Sequence, residues 1–84
     1  MPPYAATFSP GATIQIVARL QLETFRSAWH YHHPLTDEQL EWAGRRAVVA
    51  EVFYYHGGDP LYSLRDVPGM WHEPCLTAVN ERAT

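Results

Sequence analysis

No disulfide can staple this chain, because Cys75 is its only cysteine. A small secreted domain usually needs such staples, so the fold must rest on its packed core. Positive charge is also scarce. Six basic residues face nine acidic ones, for a formal charge of −3. That balance leaves no basic patch to displace counterions, and it excludes a generic nucleic-acid binder. The doublet Arg45-Arg46 lies between apolar segments and suits a solvated sheet edge. No apolar run approaches the roughly 20 residues that span a bilayer. The N-terminus has neither a charged n-region nor an apolar h-region. The expectation is a soluble, cytoplasmic protein with no membrane partner.

What the chain does have is rings. Aromatic residues make up 13% of its 84 positions, within an apolar share of 46%. Each large ring buries roughly 150–250 Å², which helps a domain near the lower size limit for a single core. Residues 1–10 carry three prolines and no periodicity, and read as an extended lead-in. Residues 11–79 read as one barrel domain and 80–84 as a polar tail.

Ile14, Ile16, Ala18 and Leu20 alternate with polar positions, which predicts a first strand over 13–20. Residues 21–33 are ambiguous. Leu22, Phe25 and Trp29 have helical spacing but continue the strand, and we read them as an irregular insertion with a helical turn. Residues 34–44 carry the best helix signals. Thr36 and Gln39 form a capping box, Leu35 and Leu40 a hydrophobic staple, and Gly44 a stop. A long strand over 46–55 has two largely apolar faces. After a Gly57-Gly58-Asp59-Pro60 turn comes a third strand over 61–65. Asp66-Val67-Pro68-Gly69 reads as a type II turn. A fourth strand then starts near Met70, is broken at Pro74 and resumes through Val79. The fold class is mainly β: a small SH3-like barrel of about four to five antiparallel strands, with one short helix inserted between strands one and two.

Some segments resemble the C-terminal barrel of the nitrile hydratase β subunit and its relatives. Gly11 opens the first strand, and His33-Pro34 lies in the insertion. Gly44-Arg45-Arg46-Ala47-Val48-Val49 starts the long strand. Gly58-Asp59-Pro60-Leu61-Tyr62-Ser63-Leu64 and Met70-Trp71 follow in family order. The resemblance implies the barrel and a habit of pairing with another subunit. The family's catalytic metal sits in a cysteine cluster on its α subunit, for which Cys75 offers no counterpart. Ala43 replaces the arginine that supports that metal from the β side. Nitrile hydration itself is therefore not implied.

Two kinds of site compete. Tyr54, Tyr55, Tyr62 and Trp71 come from three neighbouring strands and form a candidate aromatic shelf for a partner protein, with His56 and Asp59 in the adjoining loop. This predicts an accessory subunit or protein-binding module for a larger enzyme, with catalytic residues unknown. The alternative is a small metal-binding protein or enzyme. His30, His32, His72 and Cys75 supply enough ligands for a transition metal, although their spacing fits no standard finger or ribbon. A nucleophilic Cys75, or an acid–base pair of Glu73 with His72 or His56, would make it catalytic. A third reading is a homo-oligomer that functions at its subunit interface.

Overall fold

The computed structural model describes residues 6–55 and 58–79. Among these residues there are five strands: β1 (Thr13–Ile16), β2 (Arg46–Tyr54), β3 (Pro60–Leu64), β4 (Val67–His72) and β5 (Leu76–Ala78). They form one open antiparallel sheet in the order β4-β3-β2-β1-β5. This is the expected mainly β, small barrel-like fold. Two helices, α1 (Arg19–Ala28) and α2 (Asp37–Leu40), fill the insertion after β1, where one was expected. No helix among the described residues is long and apolar enough to cross a membrane.

The first strand is half as long as its alternation suggests. β1 ends at Ile16, and the Ile16 and Val17 carbonyls accept the Gly44 N–H at 3.0 and 3.1 Å. The chain then turns into α1, where the Gln21 side chain accepts the Ala18 N–H at 3.3 Å. Leu22 is fully buried and Phe25 packs on the core, while Leu20 is 73% exposed. The 22, 25, 29 stripe therefore sets a helix that docks on the barrel, and docking overrides the period-2 pattern at Ala18 and Leu20.

The signals that start α2 hold. The Gln39 N–H donates to Thr36 Oγ1 at 3.2 Å, and the Thr36 N–H donates to Gln39 Oε1 at 3.0 Å. Leu35 and Leu40 are both buried. The helix is shorter than expected: α2 ends at Leu40 with Glu41 as its cap, so Gly44, at φ +79°, is not its stop but closes the turns that follow and lead into β2.

The hairpin between β3 and β4 differs from expectation. Leu64 pairs with Val67, so the turn is Arg65-Asp66, with Asp66 at φ +58°. Pro68 and Gly69 lie inside β4 instead. Gly69 is required there twice over: its φ is +90°, and the Gln39 side chain would stand 2.7 Å from an added Cβ. The break at Pro74 is a 3-10 turn over Glu73–Cys75. It carries the chain from β4 at one edge of the sheet to β5 at the other, on β1.

Among the described residues, eight large side chains are essentially inaccessible, Trp71 and Tyr62 the largest. The other six are Ile14, Ile16, Leu22, Leu40, Val49 and Cys75, and all eight belong to one core with Leu35, Leu64 and Leu76. The lead-in contributes too: Phe8 packs edge-on against Tyr62, with ring centroids 5.5 Å apart.

Candidate functional site

The end of α1 sets the site. Phe25 and Trp29 are four residues apart, so their rings share one helix face and stack at 5.4 Å. Trp29 leaves the helix in an extended conformation, and its indole N–H donates to the His32 carbonyl at 2.7 Å. His72, buried at the end of β4, lies beneath both rings, with centroids 5.1 Å from Phe25 and 4.8 Å from Trp29. Its Nε2–H donates to the His33 carbonyl at 2.9 Å. A carbonyl cannot donate, so the neutral ring carries its proton on Nε2 and its lone pair on Nδ1. Burial lowers the His72 pKa, and the bond to His33 only partly opposes this. The loop over 29–33 is thus held by two hydrogen bonds, and His33 is held at φ +50°. A non-glycine residue there stores strain, as functional loops often do.

The His32 ring lies flat on Tyr55, with centroids 3.7 Å apart and planes 12° apart. Its Nε2 stands 3.4 Å from Asp59 Oδ2, and its Nδ1 is 3.1 Å from His33 Nδ1. The Tyr55 N–H donates to the Asp59 carbonyl at 2.9 Å, which holds Asp59 beside the end of β2. Trp29, Tyr31, His32, Tyr55 and Asp59 line a space of about 300 Å³. A second space of about 140 Å³ shares Trp29 and Asp59 and continues past Pro60 and His72 to Glu73. Together they form an aromatic groove with the Asp59 carboxylate on its edge. A larger depression of about 390 Å³ along Thr7, Phe8 and β5 gathers no comparable chemistry.

The expected residues divide cleanly. His32, Tyr55, Asp59 and His72 converge on the groove. Tyr54 is exposed near the end of β2, and His56 lies outside the described residues. Tyr62 and Trp71 are corrected: both are fully buried core residues, so they offer no exposed shelf. The Tyr62 hydroxyl donates to Glu73 at 2.7 Å, and the Trp71 indole donates to the Pro68 carbonyl at 3.1 Å. Burial, with the Glu73 bond, pushes the Tyr62 phenol up to about 12.

The four candidate metal ligands are not assembled. His30 is exposed, Cys75 is buried in the core, and only His32 and His72 approach each other, with centroids 5.4 Å apart. Among the described residues, no three His, Cys, Asp or Glu side chains are grouped so as to hold a metal ion. Burial pushes the Cys75 thiol up to about 12, the opposite of nucleophile activation. Glu73 accepts from the Thr7 hydroxyl and from Tyr62. Burial raises its pKa, but these bonds outweigh burial and hold the group below its ordinary value. It therefore clamps the lead-in to the barrel.

Trp29 and Tyr31 were missed as site residues. The signal was available in the aromatic and histidine density just past the 22, 25, 29 stripe. No family model, curated protein or solved structure matches the chain, so only its own residues bear on its function.

Proposed function

We propose that this barrel is a protein-binding module, an accessory subunit of a larger enzyme in the manner of the nitrile hydratase β barrel. Its contact surface is the aromatic groove. The observation that carries this reading is the exposure of rings at one place: Tyr31 is 71% exposed and Tyr55 37%, beside the half-buried Trp29. Tyrosine and tryptophan supply large contact area at low entropic cost and are enriched at interface hot spots. The rings here are already oriented by the Trp29 bond to His32 and by the His32–Tyr55 stack, so little order must be imposed on binding.

The test is native mass spectrometry of the tagged chain isolated from its own host. The expected result is a stoichiometric complex with a larger protein that Tyr31→Ala and Tyr55→Ala disrupt while the chain stays folded. A chain that is always alone, or a complex indifferent to both substitutions, would overturn the reading.

A further inference from the structure

The groove is one-sided in charge. Among the described residues, the Trp29–Tyr31 space is lined by one carboxylate, Asp59, and by no arginine, while Glu73 at the far end of the groove is engaged by Thr7 and Tyr62. The chain contains no lysine. The arginine–carboxylate ion pairs Arg19–Glu23, Arg19–Glu41 and Arg26–Asp37 lie elsewhere. The Asp59 carboxylate makes a long 3.4 Å contact to His32, and its side chain remains 56% exposed. Above it, Trp29 and Tyr31 meet at 77° with centroids 5.1 Å apart, forming a corner walled by ring faces. Ring faces are negative, and tryptophan's is the strongest attractor of cations among the side chains. Carboxylate and π faces thus converge on one space, which favours a cation and disfavours an acidic or phosphorylated ligand.

From this we infer that the groove receives an arginine side chain from the partner polypeptide, its guanidinium against the Trp29–Tyr31 corner and an N–H directed to Asp59. The inference rests on the protein-binding reading and specifies what is bound. Arginine fits better than lysine because its guanidinium is planar, weakly hydrated and able to stack on a ring while donating in its own plane. The molecule uses the same contact internally, where the Arg45 guanidinium lies 5.1 Å over the Trp42 ring. The net charge of −3 also steers a cationic segment toward the barrel.

The experiment titrates the 84-residue chain with N-acetyl-arginine amide, following the Trp29 indole N–H by NMR; the neutral isostere N-acetyl-citrulline amide is the control. A saturable shift with the arginine probe is expected, with binding about tenfold weaker for the citrulline probe. Asp59→Asn and Tyr31→Ala should each weaken the arginine probe while leaving the unfolding midpoint in place. Equal binding of the two probes, or no shift in the unmodified chain, would overturn the inference. Native mass spectrometry of the Asp59→Asn chain separates the two readings. Full retention of the partner sinks the arginine inference and leaves the module standing. Asp59-dependent probe binding by a chain that has no partner upholds the cation site and sinks the module.

Discussion

Two aromatic regions of this barrel use the same side chains to opposite ends. Around Tyr62 and Trp71 the rings are sealed, and each polar handle is spent inside the molecule, on Glu73 and on the Pro68 carbonyl. Around Trp29, Tyr31 and Tyr55 the rings are equally well oriented but face solvent. Composition does not separate the two regions; register does. Tyr62 and Trp71 are direct cross-strand partners of β3 and β4, on the inner face of a curled sheet. Tyr31 sits in a loop beyond a helix end, and Tyr55 just past the last residue of β2. Order without burial is what distinguishes a binding surface from a core.

The contrast is broken most severely at Trp71. Trp71→Ala leaves a large cavity under β4, and the expected loss is about 3–5 kcal/mol. In so small a domain that approaches the whole stability, so urea denaturation should show little folded protein remaining. A fully folded Trp71→Ala chain would return Trp71 to the surface. Gly69→Ala comes next. The new methyl must hold φ +90° and displace Gln39, whose Nε2–H donates to the Met70 carbonyl at 2.9 Å. Together these should cost about 2–3 kcal/mol, seen as a lower urea midpoint at unchanged m-value. Gln39→Ala in the same chain should recover the steric part and leave the backbone strain.

These two residues also mark where the sequence is legible. Pro68-Gly69 looks like a turn because those residue types serve turns. In the structure the glycine lets the strand pass beneath Gln39, a requirement set by α2, far away in sequence. The start of α2 is readable because its cap and staple are local, although the helix ends at Leu40, ahead of the expected stop at Gly44. The α1 boundary is not, since it depends on the Gly44 N–H meeting the carbonyls of Ile16 and Val17. The same division holds in the site. His32, Tyr55, Asp59 and His72 can be picked as residue types that carry function. Their pairing needs the hairpin and the 29–33 loop to meet, and alternation alone did not separate them from Tyr62 and Trp71. The barrel was legible from strand order because antiparallel neighbours in sequence are usually neighbours in space.

A pH titration sharpens the comparison at the groove floor. The His72 pKa is lowered in the folded chain, first by burial, against an ordinary value of 6.5. Above that value both folded and unfolded chains hold the ring neutral, and its contribution to stability is intact. As pH falls below it, the unfolded chain takes up a proton that the folded chain resists, and stability declines until the folded pKa is passed. Glu73, also lowered, adds the same sign of dependence only further down, below its ordinary 4.5. The urea midpoint should therefore fall in two stages on acidification. His72→Gln, whose amide can still donate to the His33 carbonyl, should remove the upper stage alone. A midpoint that is flat between pH 7 and 5 in the unmodified chain would contradict the buried neutral histidine.

The smallest expected effect is the most diagnostic of the open region. Tyr31 is 71% exposed, and its ring touches Trp29 edge to face. Tyr31→Ala removes that contact without opening a cavity, so the unfolding free energy should change by no more than about 0.5 kcal/mol. A core-like loss would mean that Tyr31 props the 29–33 loop, and the groove would then be a product of packing. Near-neutrality, beside the collapse expected at Trp71, would leave Tyr31 with no structural task. An oriented, exposed ring that stability does not need is one whose place is explained by what it binds.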